Sequence, residues 1–270
     1  MANLGVVTDA AADVPDDVAA RLGITVVSGR VRFGDEPWGG TADEFWRRIR
    51  SDGPAPVTSP PAVEDFSRVF IGESPILAVH VSGELSSTVD HARAAASAAE
   101  AAGIEVTVVD SRSVSVGAGL VAVAAAEAAA LEVDNDDVVR LAERLAARMH
   151  VHAVIADVDF LVRGGRAGLI EPPGRRKHCQ VLAVQGHAIP LGQHRDPASA
   201  RRHLLEHLEE HAARGVDRWA AAHADAADIE TVMARVAKLF GAEPAFVVPL
   251  DPTVGTHAGP GAIVVAHVVS

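Results

Sequence analysis

Along the first half of the chain, short apolar runs alternate with longer stretches of helical spacing. "NLGVVTD" reads as a buried strand, and "DVPDDVAARLG" as a helix ending at Gly23. "ITVVSGRVRF" is extended, "TADEFWRRIRS" is helical, and "PAVEDFSRVF" reads as a helix with Pro60 or Pro61 in its first turn. "PILAVHVS" is a strand that turns into an alanine-rich helix whose first turn carries Ser86, Ser87 and Thr88. Another apolar strand, "IEVTVVDS", precedes two long helices, "VGAGLVAVAAAEAAALE" and "NDDVVRLAERLAARM". Strands separated by helices pair in parallel with helices on both faces, so residues 1–149 are expected to form a parallel α/β domain.

Near residue 150 the rhythm changes. "VHAVIADV" is a strand, and "QVLAVQGHAIPLGQHR" reads as two strands joined at Gly186. Helix "PASARRHLLEHLEEHAARG", strand "DRWAAAHA", helix "ADIETVMARVAKLFG" and the strands "AFVVPL" and "GAIVVAHVV" follow. Hairpins mixed with helices predict a second domain over residues 150–270, α+β with a mostly antiparallel sheet. Any ligand site is expected between the two domains.

Composition narrows the function classes. A formal net charge of −12 argues against general nucleic-acid binding and against an anionic membrane surface. No apolar stretch is long enough to span a bilayer, and the start "MANLGVVTDAAAD" lacks the basic and apolar regions of a signal peptide. One cysteine, Cys179, excludes an internal disulfide, and a cytoplasmic location is expected. The one basic concentration is "RGGRAGLIEPPGRRK", with Arg163, Arg166, Arg175, Arg176 and Lys177. Behind Pro172-Pro173-Gly174, the last three read either as a docking surface for an acidic partner or as a solvated loop.

The candidate chemistry lies in hydroxyls near helix starts. Ser86, Ser87 and Thr88 suit either plain N-capping or anion binding by the free N–H groups and the helix dipole. Thr58 and Ser59, before a proline-started helix, repeat the pattern, and both groups could meet at the carboxyl edge of the sheet. Gly164-Gly165 lets Arg166 approach a ligand closely, and "VGTHAGPGAIVV" places His257 in a glycine-rich loop with Gly259. Asp9, ending the first strand, is expected to support the site. His203, His207 and His211 lie four apart, but Leu204, Leu205 and Leu208 form the apolar stripe beside them. These histidines are therefore expected on the solvated side, with no metal site, and His150 and His152 read as composition. Gly117 and Gly119 have the wrong spacing for a dinucleotide fingerprint, and there is no P-loop.

Six segments, in order along nearly the whole chain, resemble the DegV family. "VVTDAAADVP" is similar to that family's "TDSTADLP", "VTSPPAVEDF" to "TTSQPSPGDF", and "VSGELSSTVDHARAA" to "SSxLSGTYQSA". "VVDSRSVSVGAGLVAVAAA" is similar to "VIDSxxxSxGxG", "DFLVRGGRAG" to "xYLKKGGRI", and "GTHAGPGAIVV" to "GxHxGPGxxGV". The resemblance implies a two-domain α/β fold that buries one long-chain fatty acid between its domains. It implies that Thr58 and Ser86 hold the carboxylate, and that Arg166 and His257 contact the head group or take part in phosphotransfer. It further implies a carrier with no catalytic residues, cofactor or metal of its own, which presents its lipid to a separate fatty-acid kinase catalytic subunit for acyl phosphate formation. Three departures stand out: Ser87 replaces a glycine, Ala10 and Ala11 replace hydroxyl residues, and the segment after Arg166 diverges. Two other functions fit the residues alone. One is a hydrolase with Ser86 as nucleophile, His257 as base and Asp9 as orienter; the other is a binding protein for a small polar anion.

Overall fold

The computed structural model describes residues 4–51, 53–72, 74–169 and 178–270, so the basic run Arg175, Arg176 and Lys177 lies outside the described residues. The first half contains strands β1 (Gly5–Asp9), β2 (Ile24–Val27), β3 (Arg30–Phe33), β4 (Glu36–Pro37), β5 (Pro56–Ser59), β6 (Ile76–His80) and β7 (Val106–Asp110). Its helices are α1 (Asp16–Leu22), α2 (Ala42–Ile49), α3 (Val63–Ser67), α4 (Thr88–Ala101), α5 (Val116–Ala130) and α6 (Asn135–Arg148). β2, β1, β6 and β7 form a four-stranded sheet in that order, parallel throughout. The order reverses direction between β1 and β6, which opens a crevice at their carboxyl ends.

The second half adds β8 (Met149–Ile155), α7 (Asp159–Arg163), β9 (Cys179–Gln185), β10 (His187–His194), α8 (Pro197–Ala212), β11 (Val216–His223), α9 (Ile229–Phe240), β12 (Val247–Pro249), α10 (Pro252–Ala258) and β13 (Ile263–Val269). They build a six-stranded sheet in the order β10-β9-β8-β13-β11-β12, antiparallel except for the β11–β12 pair. The parallel and antiparallel halves expected from the sequence are therefore present.

α5 lies between the two large sheets. Its sequence is apolar on every face, as a helix buried on all sides requires, and it packs on β1 and β6 as well as on β11 and β13. One hydrophobic cluster runs from Leu77 and Val79 of β6 through Leu120 and Val121 of α5 to Leu182, Val184 and Val264 of the six-stranded sheet. Gly119 allows the approach: a side chain there would collide with the Ala12 carbonyl.

A third sheet was not legible in advance. β4, β3 and β5 form a small antiparallel unit, so the extended "ITVVSGRVRF" divides between two sheets. Phe33, Trp38, Phe45 and Trp46 pack beneath it in edge-on and tilted pairs at centroid distances of 5.0–6.1 Å. α2 seats its aromatic face there, behind a capping box formed by Thr41 and Glu44.

Candidate functional site

The three sheets and α10 enclose a cavity of about 440 Å³, within the roughly 300–1,000 Å³ typical of small-molecule sites. Its wall on the six-stranded sheet is apolar: Ala153, Ile155, Leu182, Val184 and Val264 project from β8, β9 and β13. Ala153 pairs with Leu182 on one side and Val264 on the other, so these three form a row across the sheet. Polar groups come from the crevice between β1 and β6, from β5, and from the last turn of α10.

Thr58 and Ser59 sit on β5, paired with Val31 and Arg30, and not at a helix start. Ser59 and Pro60 each precede a proline, which disfavours helical backbone, so both prolines lie before α3 and the chain stays extended to Ala62. There the Asp65 carboxylate accepts the Ala62 N–H at 2.8 Å and begins α3. Thr58 is thereby free of capping duty, and its Oγ1 lies 3.0 Å from Nε2 of His257.

His257 belongs to α10 and not to a loop. Asp251 caps that short helix with its carboxylate, Pro252 begins it, and Gly259 ends it with a φ of 70°. Burial, and then the charge of Arg166, push the His257 imidazole down to about 4, so it is neutral at physiological pH. Beside it passes Gly164, where a side chain would meet the ring. Gly259 is equally confined, because a Cβ there would enter the Phe160 ring. The two glycines let α7 and α10 pack closely, and Arg166, just after α7, donates to the Leu85 carbonyl at 3.1 Å. Gly165 has a φ of 73° and open space around it, so its role is purely backbone conformation.

Ser86 and Ser87 precede α4, which begins at Thr88; they do not fall within its first turn as the sequence suggested. The Ser86 hydroxyl contacts Thr88 Oγ1 at 2.8 Å and accepts the Thr88 N–H at 3.3 Å, while Ser87 is exposed and makes no capping bond. Ser86 thus combines a capping contact with a place on the cavity lining. Asp9 lines the cavity too, but its carboxylate is occupied by His80 Nδ1 at 2.9 Å and by the N–H groups of Ala11 and Val81. Thr58, Ser59, Ser86, Ser87, Thr88, Gly164, Arg166, His257 and Asp9 therefore converge on one cavity, whereas Gly165 and Gly259 shape its surroundings without lining it.

The hydrogen bonds do not assemble a Ser–His–Asp triad. Ser86 pairs with Thr88, His257 with Thr58 and Asp9 with His80, so the nucleophile, base and orienter of the hydrolase reading are divided among three separate contacts.

Ser115 is a lining residue that the sequence pattern did not single out. It adopts φ 55°, ψ −143° and donates its hydroxyl to the buried Asp13 carboxyl at 2.5 Å. Burial, and then neighbouring Asp251, hold the Asp13 carboxyl well above the usual carboxylate range. The signal was present, because Ser115 lies within "DSRSVSVGAG", directly before the glycines of α5.

Comparison with known proteins gives the relationship directly. The family described as "Uncharacterised protein, DegV family" matches residues 3–269. A DegV domain-containing protein of Halalkalibacterium halodurans is 28% identical, with 97% of each chain covered. A fatty acid-binding protein of Thermotoga maritima is 26% identical over 81% of this chain and 79% of its own. Among solved structures, a fatty-acid-binding DegV family protein from Thermus thermophilus superposes over 100% of both chains with a TM-score of 0.85 and 29% identity. Among the described residues, no helix is long and apolar enough to cross a membrane.

Proposed function

The chain belongs to the DegV family, and on that premise we propose that it is a fatty-acid carrier whose cavity buries one long acyl chain between the segments 1–149 and 150–270. The observation that carries the reading is the division of the cavity into two chemistries. Paired hydroxyls and a neutral imidazole gather where β5, α10 and the start of α4 meet, while aliphatic side chains line the sheet beyond.

An acyl tail against that wall contributes about 0.8 kcal/mol per buried methylene. A small polar anion would leave the wall unused. The carboxylate would take hydrogen bonds from Thr58 and Ser86. In the tautomer that carries its proton on Nε2, His257 donates to Thr58 Oγ1 and leaves the Thr58 hydroxyl proton free to donate to the ligand. Arg166 supplies the positive charge nearby, with Ser59, Ser87 and Thr88 completing the polar end and Asp9 holding the β1–β6 crevice.

The same arrangement suits presentation of the carboxylate to a fatty-acid kinase catalytic subunit that brings ATP and metal. The carrier then needs no catalytic cycle or cofactor of its own. Its contribution is to fix the carboxylate and offset the charge that grows as the acyl phosphate forms. The test is to load purified protein with palmitic or oleic acid and compare wild type with Thr58→Val and Ser86→Ala. Each substitution is expected to weaken retention and to impair phosphorylation by a competent kinase subunit. A double variant phosphorylated at the wild-type rate would refute the assignment.

A further inference from the structure

The strands that form the cavity wall carry a run of imidazoles on their other face. β8 places His150 and His152 there, two residues apart, and β13 brings His267 opposite His150. Across them lies α8, whose His203, His207 and His211 recur every fourth residue and face the sheet, with Leu204 and Leu208 buried alongside. This overturns the expectation of a solvated histidine face. The signal was the strand parity of His150, His152 and His267, which supplies polar partners on the sheet itself.

The rings form two groups joined by His152 and His207, whose centroids lie 5.9 Å apart. Centroids lie 4.6 Å apart for His150–His211, 5.0 Å for His152–His211, 4.9 Å for His211–His267 and 5.5 Å for His152–His267. The run continues through His203–His207 at 4.7 Å to His194 of β10 at 4.9 Å. Three nitrogen–nitrogen contacts tie it together: His267 Nε2 to His211 Nδ1 at 3.0 Å, His203 Nε2 to His207 Nε2 at 3.1 Å, and His194 Nε2 to His203 Nδ1 at 2.8 Å. Each holds one proton, since one nitrogen must donate and the other accept. Neutral imidazoles meet that condition, whereas two neighbouring imidazolium ions present donor to donor.

We propose that the joint between α8 and the six-stranded sheet is an acid-operated latch, in which proton uptake by this imidazole array pries α8 away and slackens β8, β9 and β13 behind the cavity.

The surroundings favour repulsion on acidification. Of the groups acting on the array, α8 contributes Glu206 near His203 and Glu210 near His211, and Arg214 adds positive charge near His150 and His211. β9 contributes the neutral Gln185, which bonds His150 at 2.9 Å, and α9 contributes Phe240 against His267. Among the described residues, the charges acting on His152 and His267 come from other histidines. Burial and then those neighbours push His267 down to about 2 and His152 to about 3; burial with His150 and Arg214 pushes His211 to about 4, and His150 and His203 are also lowered. Lowered folded values mean that the joint is fully stabilised above the ordinary histidine value of about 6.5. It weakens as pH falls from there through about 4 and below. Below the ordinary histidine value of about 6.5, each proton taken up on opening makes the opening equilibrium about tenfold more favourable per pH unit.

Hydrogen exchange of the intact protein at about pH 7.5 and pH 5.5, corrected for intrinsic exchange, reads this directly. Opening of 197–212, together with 149–155 and 263–269, is expected to rise by about a hundredfold or more relative to 76–80 in the parallel sheet, as uptake of two protons or more requires. His211→Gln should lower the pH slope of that opening by about tenfold per pH unit, and His203→Gln gives a second reading if His211→Gln does not fold. His187→Gln, at an exposed histidine of β10 outside the array, should leave the slope unchanged. Protection of 197–212 that ignores pH, equal loosening of both sheets, or loosening of α8 without β8 and β13 would each overturn the proposal.

Discussion

Gly164 and Gly165 are adjacent, yet the structure gives them opposite reasons to be glycine, and substituting each by alanine separates ring placement from backbone strain. Gly164 has φ −78°, which alanine adopts freely, but a Cβ there would lie 2.4 Å from Nδ1 of His257 and 3.0 Å from the Phe160 carbonyl. The ring must shift by about 1 Å to reach ordinary contact at 3.4 Å, which disrupts the 3.0 Å Thr58–His257 bond on its far side. That forfeits about 1 kcal/mol of hydrogen bonding on top of an overpacking cost of about 1–3 kcal/mol. Gly165 has φ 73°, and a Cβ there would meet nothing within 4 Å, so Gly165→Ala costs about 1–2 kcal/mol of backbone strain and moves no ring. Denaturant titration measures the two stabilities, and imidazole resonances report His257. Gly164→Ala should shift those resonances and weaken fatty-acid retention, whereas Gly165→Ala should lose less stability and leave His257 unmoved. Unshifted His257 signals in Gly164→Ala would refute the argument that this glycine sets the ring against Thr58.

Other expectations follow from the same contacts. Thr58→Val and Ser86→Ala should each weaken carboxylate anchoring by about 1–3 kcal/mol, read by competitive fatty-acid binding; Thr58→Ser should restore much of the loss. His257→Ala should reduce phosphoryl transfer more than lipid retention, because the neutral ring gains most as charge grows on the head group; equal losses would assign it to ground-state binding alone. In a pH titration the His257 ring should stay neutral from pH 8 down to about pH 5, since its folded value lies at about 4, and protonation near 6.5 would contradict the burial argument. Asp13 is the opposite case: its folded value is raised, so its contribution is complete below the unfolded value of about 3.9 and is lost as pH rises toward the folded value. Asp13→Asn should therefore gain stability relative to wild type at pH 8 and lose that advantage near pH 4, as measured by thermal unfolding.

The alternation of apolar runs and helical spacing made the two large sheets legible, because β1, β6, β7, β8 and β13 are buried strands with continuous or alternating patterns. The small sheet was not legible: β4 has two residues, and the turn at Ser28-Gly29 redirects an extended run without interrupting its pattern. That unit positions Thr58, so the residue was identified while its setting on a strand was not. α10 escaped notice for a related reason. Its Asp-Pro start and Gly259 stop are ordinary helix signals, but seven residues amid glycines give little periodicity. Strand parity marks His150, His152 and His267 as one polar face of the sheet, but no local pattern says that α8 is the helix that covers it.

The central claim is that the cavity holds one acyl chain with its carboxylate at Thr58 and Ser86. Native mass spectrometry of protein purified from cells, followed by denaturing extraction and identification of the released lipid, tests it most directly. The account predicts one long-chain fatty acid per polypeptide, held non-covalently and exchangeable with added palmitic or oleic acid. No stoichiometric lipid, together with failure to load fatty acids of several lengths, would contradict it.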